Sequence, residues 1–320
     1  MADPPVTRDD VLAARETIGD RVHRTPTFSS ATLARTIGVE RAYLKAELFQ
    51  RTGSFKPRGV LNKLSWLSPE ERLRGVITWS AGNHAQAVAY ASALEGLDCV
   101  VVMSGHANPS KVAATRGYGA VVDLEASDHS ASYERLLELT EESGRTFIHP
   151  FDDPLVVAGQ GTVGLELAED VPNVDTIVIP VGGGGLISGI ASAADGCRVI
   201  GVEPEGSTAM SSGLAAGHSV TVESKTIADG LGPPFAGELC IEICRRRVER
   251  IVLVSELEIA EAMRFLYARA KLACEPSGAA ATAALLAGKI DLDPGETVAA
   301  VVSGGNADPK IAAAILAGDL

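Results

Sequence analysis

The chain has little that is aromatic, no surplus of positive charge and no long apolar stretch. Phe, Tyr and Trp make up 4% of the 320 residues, while glycine reaches 33. A core built this way must use small and branched aliphatic side chains, which let helices and sheets approach closely. Acidic residues outnumber basic ones, 41 to 28, for a net charge of −13 and a sequence pI near 5.0. That balance argues against a nucleic-acid-binding surface and against docking on anionic membranes. An anionic ligand would have to be held locally, by backbone amides or a few chosen cations. No apolar run approaches the roughly 18 residues of a membrane span, and the Ala-rich segment around 277–288 is too short. The opening MADPPVTRDD lacks the basic and apolar regions of a secretion signal. The cysteines, at 99, 197, 240, 244 and 274, are odd in number and unpatterned. They read as reduced, buried thiols rather than a disulfide framework. The expectation is a soluble globular protein of the cytoplasm.

Repeats, sustained heptads and Pro/Ser-rich linkers are also missing. What the chain does have is alternation. Short β-branched runs at 42–48, 75–79, 99–103, 120–124, 176–180, 198–203, 251–254 and 298–302 predict strands. Periodic stretches at 83–94, 110–116, 132–143, 156–169 and 256–272 predict helices between them. Such spacing implies an α/β fold with mostly parallel sheets and helices on both faces. Residues 75–149 form a self-sufficient block that ends at His149-Pro150-Phe151-Asp152-Asp153-Pro154. It reads as a small domain inserted into a larger one made of residues 1–74 and 150–320, with a ligand cleft between them.

Several segments carry chemistry-bearing residues at strand ends. Gly182-Gly183-Gly184-Gly185 follows the buried-strand candidate 176–180 and opens a small-residue helix. It reads either as a flexible turn or as a backbone cradle for a single phosphate. The dinucleotide spacing fails at Ile187 and Ser188, and Gly288-Lys289 is followed by Ile290, which breaks the Walker pattern. Lys56, in Thr52-Gly53-Ser54-Phe55-Lys56-Pro57-Arg58-Gly59, stands at a helix start. There the dipole disfavours a cation and should leave more neutral amine as nucleophile and base; the plain alternative is a solvated surface lysine. Lys45 also lies in an apolar run, but mid-strand and without the loop.

Ser80-Ala81-Gly82-Asn83-His84 joins a strand to a helix. Ser80 is a candidate cap and the free amides a candidate carboxylate nest, with His84 read equally as a structural residue. Ser303, in Val302-Ser303-Gly304-Gly305-Asn306, would meet a ring nitrogen or cap a helix starting at Ala307. Cys274-Glu275-Pro276-Ser277-Gly278 is the fifth such segment, an ordinary helix start at its simplest. Metal and other nucleophile patterns fail: no H-E-x-x-H or G-x-S-x-G occurs, and Cys240-x-x-x-Cys244 has no second pair. A phosphate cradle, a poised lysine, a carboxylate nest and a hydroxyl at strand ends of one sheet converge on one crevice. The cofactor that uses all four is pyridoxal 5′-phosphate.

GSFKPRG, SAGNHAQA, HPFDDP with AGQGT, VGGGGLISG, TIADG, CEPSGAA and VSGGN occur in that order between about residues 20 and 315. Together they resemble the serine/threonine dehydratase family of fold-type II pyridoxal-phosphate enzymes, of which serine racemase is a relative. The resemblance implies a tryptophan synthase β-like fold, two open α/β domains with the cofactor in the cleft, and a homodimer. It implies Lys56 as the cofactor-bearing lysine and α-proton acceptor, with Phe55 beside it. Asn83 would bond the cofactor's phenolic oxygen, Gly182, Gly183, Gly184 and Gly185 its phosphate, and Ser303 its pyridine nitrogen. Glu275 would lie near the ring, and Ser80, Ala81, Gly82, Asn83 and His84 would grip the substrate carboxylate. A hydroxyl beside the ring nitrogen should leave it largely unprotonated, which favours rapid loss of a β-hydroxyl. The implied reaction converts a β-hydroxy amino acid, threonine or serine, to a 2-oxo acid and ammonia.

The departures narrow this. Racemase-like members carry a second serine where this chain has Ala81, and an asparagine where it has Phe151. Alanine cannot move a proton, so racemisation is expected to be at most a poor side reaction. The divalent-cation site of that branch is matched by Glu203 and Ser207 but not by Ala209, so no divalent metal is expected; a monovalent ion or none remains open. The chain stops at Leu320 with no appended module, so isoleucine feedback has no obvious home. The rivals are racemase or β-replacement activity, dehydration of hydroxyaspartate or phenylserine, and a non-catalytic amino-acid sensor. Phe151 and Phe235 would favour apolar over acidic side chains.

Overall fold

The strands predicted from β-branched runs pair into two sheets in a computed structural model that describes residues 5–127 and 129–319. Residues 1–4 and 320, the ends of the expected larger unit, lie outside the described residues. In chain order the strands are β1 Thr27–Ser29, β2 Arg41–Ala46, β3 Val76–Trp79, β4 Cys99–Ser104 and β5 Val121–Ala126. They continue with β6 Thr146–Phe147, β7 Thr176–Pro180, β8 Arg198–Pro204, β9 Arg250–Val254 and β10 Thr297–Val302. A six-stranded sheet runs β1-β2-β10-β7-β8-β9, and a four-stranded sheet runs β5-β4-β3-β6. Apart from β1, which pairs antiparallel with β2, all these pairings are parallel.

β10 lies at the centre of the larger sheet, with Thr297 opposite Arg41 of β2 and Val298 opposite Thr176 of β7. Every residue of β7 and β10 is buried, which explains their unbroken apolar character. Successive side chains of β10 alternate between faces. Val298, Ala300 and Val302 join one core with helices Glu256–Phe265 and Pro276–Leu286. Ala299 and Val301 join the other, with helices Pro154–Asp170, Gly185–Ala193 and Glu238–Arg247. The four-stranded sheet, drawn wholly from residues 76–147, has its own core. Val60, Leu61 and Leu64 of helix Pro57–Ser65 belong to that core, so the helix that begins after Lys56 packs between helix Asn83–Glu95 on the smaller sheet and helix Pro154–Asp170 on the larger.

Several local expectations change. The strand expected over 42–48 stops at Ala46, because Glu47–Phe49 turns into a 3₁₀ segment. The helix expected over 256–272 is α-helical to Phe265, widens to a π turn over Leu266–Ala270 and ends at Lys271, which has φ of 61°. The three-residue β1 and two-residue β6 were too short to leave a periodic signal. All five cysteines are free, but Cys197 is only half-buried, unlike the other four. Among the described residues no helix is long and apolar enough to cross a membrane.

Candidate active site

Lys56 is the residue just before helix Pro57–Ser65, with Pro57 in the first turn, where a missing N–H costs nothing. Its Nζ donates to the Pro150 carbonyl at 2.9 Å and lies 5.1 Å from the centre of the Phe55 ring. Burial lowers its pKa to about 8. The sequence points to the helix dipole for such a depression; in the structure it comes from desolvation of the buried ammonium. The loop carrying Lys56 is tied to the end of β10: Phe55 N–H donates to the Ser303 carbonyl at 3.2 Å, and Ser54 bridges Gly304. Pro150 is held in turn by His149, whose Nδ1 accepts from the N–H groups of Phe151 (3.2 Å) and Asp152 (2.8 Å).

Two helices open into the same cavity without a capping side chain. Helix Asn83–Glu95 starts at Gly82 and helix Gly185–Ala193 starts at Gly184. By contrast, Thr7, Ser68 and Ser255 cap their helices with complete capping boxes. An uncapped N-terminus leaves several N–H donors free, with the positive end of the helix dipole behind them. The second of these is shaped for close approach. Gly184 has φ of +100°, and a Cβ there would lie 2.4 Å from Met210 Cε; a Cβ on Gly183 would lie 2.3 Å from the Phe151 ring. A side chain at either position would displace a neighbour.

Ser80 does not cap the helix as expected. Its Oγ accepts from the Gly82 N–H at 3.2 Å, which shapes the loop instead. His84 donates from Nε2 to the Ile148 carbonyl at 2.9 Å, and its Nδ1 is buried without a partner. Burial, then the charge of Lys56, push its pKa well below the ordinary value, so the ring is neutral. What His84 offers the cavity as a donor is therefore its backbone N–H. Ser303 is buried at the end of β10 and does not cap a helix from Ala307, because that helix is Pro309–Ala317 and Asp308 caps it.

Glu275 is buried, and its Oε1 accepts from Asn83 Nδ2 at 2.6 Å. Desolvation, helped by the charge of Asp229, raises its pKa to about 7, against the opposing effects of Asn83 and Lys111. Lys111 and Asp229 form an ion pair at the rim. A cavity of about 400 Å³ brings together Phe55, Lys56, the 80–84 loop, Gly182 to Gly185, Glu275 and Ser303.

Sequence reasoning did not single out Trp79, Asn108 or Lys111, which line the same space together with Asp229 of the TIADG motif. Nor did it find the charge cluster behind the lysine. Arg58, fully buried, makes two bonds to Glu47 (2.8 and 2.8 Å) and two to Glu166 (2.7 and 3.0 Å), while Lys45 donates to Glu166 at 2.7 Å. These partners lie up to 121 positions apart, and no local pattern announces them. Glu203, weighed as a cation ligand, accepts instead from the N–H groups of Met210 (2.6 Å) and Ser211 (3.0 Å) and from Ser211 Oγ (2.6 Å). Its carboxylate serves the start of helix Ala209–Ala216.

The cavity suits a small group with a phosphate at one end and an aldehyde at the other. Unclaimed N–H donors line the glycine loop, a buried amine with lowered pKa stands at Lys56, and a hydroxyl lies at Ser303. A second set of free donors remains at the start of helix Asn83–Glu95 for an anionic substrate group.

Comparison with known proteins agrees with that chemistry. A family model described as "Pyridoxal-phosphate dependent enzyme" matches residues 18–304. The chain is 46% identical over 308 residues to the L-threonine ammonia-lyase of Thermotoga maritima, covering 95% of this chain and 76% of that one. Its structure resembles the threonine deaminase of T.th., with TM-score 0.88, 41% identity and coverage of 94% and 99% of the two chains. It also resembles maize serine racemase, with TM-score 0.91, 36% identity and coverage of 96% and 95%.

Proposed function

The chain belongs to the family of pyridoxal-phosphate-dependent enzymes, and from that premise we propose that it is a threonine ammonia-lyase that releases a 2-oxo acid and ammonia. The observation that carries this is the meeting of Lys56, two uncapped helix N-termini and Ser303 in one cavity whose 80–84 loop holds Ala81. The relatives named threonine ammonia-lyase and threonine deaminase support it at high coverage.

Pyridoxal phosphate, when bound, supplies an aldehyde for an amine and an electron sink that makes the α-proton of an amino acid acidic. The rest is work for this chain. Gly182, Gly183, Gly184 and Gly185 bind the phosphate through backbone N–H groups, with the dipole of helix Gly185–Ala193 behind them. Ser303 offers its hydroxyl to the ring nitrogen, Asn83 an N–H to the ring oxygen, and Phe55 packs beside the lysine. The Ser80–His84 loop holds the substrate carboxylate through the backbone N–H groups of Ala81, Asn83 and His84, while those of Ser80 and Gly82 shape the loop by donating to the Val102 carbonyl and to Ser80 Oγ. Lys56 takes the α-proton at Nζ, and its lowered pKa of about 8 keeps a working fraction of neutral amine near pH 7. Glu275 holds the Asn83 amide from behind.

The likeness to a serine racemase favours a second reading, but Ala81 supplies no second proton carrier. Serine as a further substrate, a homodimeric assembly and a cytoplasmic location belong to the same proposal and rest on the family resemblance. So does the division into an inserted domain of residues 75–149 and a larger one of residues 1–74 and 150–320, supported by a four-stranded sheet drawn wholly from residues 76–147, although Ile18, Val60, Leu61, Leu64 and Leu67 of the larger unit share its core.

The test is 2-oxo acid release by the cofactor-loaded protein from L-threonine, L-serine, the 3-hydroxyaspartates and phenylserine. Threonine is expected to turn over fastest, with product lost in Lys56→Ala. Absence of product from the whole panel would overturn the reading, and fastest turnover of a hydroxyaspartate would refute the apolar pocket at Phe151 and Phe235.

A further inference from the structure

Asn83 is an amide, and an amide can show either its N–H₂ or its carbonyl oxygen to a neighbour. Which one it shows is settled by a directional relay of hydrogen bonds. The relay starts at the Thr52 carbonyl, a backbone oxygen that can only accept. Asn306 donates one Nδ2 proton to it at 2.7 Å. The other goes to Asn83 Oδ1 at 2.8 Å. With its oxygen engaged by Asn306, Asn83 must turn Nδ2 the other way, and it donates to Glu275 Oε1 at 2.6 Å.

The start of the relay is anchored by unusual backbone. Thr52 has φ of 60° and ψ of 12°, a left-handed conformation that a β-branched residue rarely adopts. Next to it, a Cβ on Gly53 would lie 2.6 Å from Asn306 Oδ1. The loop leading to Lys56 and the loop after β10 are therefore fitted to each other around this one side chain.

We propose that Asn306 is a positioning residue that fixes the polarity of Asn83, so that Asn83 faces the cavity as a hydrogen-bond donor. An Asn83 amide has two protons; Glu275 takes one, and the relay leaves the second for an oxygen acceptor in the cavity. The proposal rests on the reading above, in which that acceptor is the cofactor's ring oxygen. Because Asn306 joins the segments carrying Lys56, Asn83 and Ser303, its loss separates three site elements at once. Simple stapling and polarity make different demands, however. Stapling needs a side chain of this size, whereas polarity needs one that donates twice.

Asn306→Asp and Asn306→Ala distinguish them. Aspartate keeps the size but cannot donate, and it draws the Asn83 N–H₂ toward itself; alanine removes the constraint without reversing it. Titration of the cofactor-free proteins with pyridoxal phosphate, followed by absorbance, is expected to show binding about ten-fold or more weaker for Asn306→Asp. Asn306→Ala should be less affected, and the absorbance band of the bound cofactor should shift in the aspartate variant. An aspartate variant that binds like the native protein, with a native band, overturns the proposal.

A second readout needs neither cofactor nor turnover. In 15N-asparagine-labelled protein without cofactor, the side-chain N–H₂ signals of Asn83, assigned by their loss in Asn83→Asp, should be protected from solvent exchange and lose that protection in Asn306→Ala. Unchanged protection in a folded alanine variant also overturns the proposal. Native protein that binds the cofactor but releases no 2-oxo acid would sink the lyase reading alone, and both Asn306 readouts would still decide.

Discussion

Glu275 holds a proton at pH values where a surface glutamate has lost it, and this has a thermodynamic sign. Its carboxyl is raised from 4.5 to about 7 in the folded cavity by desolvation first and Asp229 second. Between those values the folded chain binds more protons than the unfolded one, so this group's contribution to stability falls as pH rises through the window. Below the unfolded value the penalty is absent; above the folded value it is fully developed. Glu275→Gln has no such penalty and should gain about 3 kcal/mol relative to the native protein between roughly pH 4 and pH 8. Urea unfolding of the two cofactor-free proteins at both pH values checks it, and a difference that does not change with pH would refute the assignment. Lys56 shows how far sequence reaches at this scale. Its isolation in a glycine-bracketed loop was legible, whereas the burial that sets its pKa depends on neighbours from elsewhere in the chain.

At the scale of elements, helix Pro57–Ser65 is joined to the segment after β2 and to helix Pro154–Asp170 by Arg58. Desolvation works against that guanidinium, yet Glu47 and Glu166 outweigh it and raise its pKa further. A buried pair of this kind adds little compared with a well-packed apolar replacement, but removing Arg58 leaves Glu47 buried without its cation and Glu166 with Lys45 alone. Arg58→Met should therefore cost about 3–5 kcal/mol in denaturant unfolding. Arg58→Lys should recover only part of it, because an ammonium cannot make two forked contacts. A loss below about 1 kcal/mol in the methionine variant would show that the cluster relaxes or takes in water. Glycine and β-branched patterns revealed the strand ends because those signals are local. The Arg58 cluster, the Asn306 relay and the service of Glu203 to helix Ala209–Ala216 left no such trace. Each pairs ordinary polar residues whose meeting is decided by tertiary packing, and the short β1 and β6 likewise owe their existence to their neighbours.

At the scale of the whole molecule, the two sheets meet across the rim of the cavity. Lys111, in helix Pro109–Gly117 beside the four-stranded sheet, pairs with Asp229 from the chain between β8 and β9. Asn108, which caps that helix, donates to Asp308 Oδ2 at 2.6 Å, and Asp308 caps helix Pro309–Ala317. Because Asp229 is largely exposed, the ion pair should contribute no more than about 1 kcal/mol. Lys111→Met is accordingly expected to speed amide hydrogen exchange in helix Pro109–Gly117 by less than about five-fold. Acceleration of a hundred-fold or more would mean that this pair governs the opening of the smaller sheet.

The central place of β10 also bears on how the molecule is made. It pairs with β2 and β7, yet it is the last strand of the sheet to leave the ribosome. Lys56 is synthesised early and must wait for Ser303 and Asn306 before its surroundings exist. A nascent chain arrested before β10 has two unpaired strand edges and an incomplete pocket, a state prone to association with other chains. With Ser303 in the role proposed above, cofactor capture would wait on the completed sheet, and a bound cofactor would report that the final strand has found its slot.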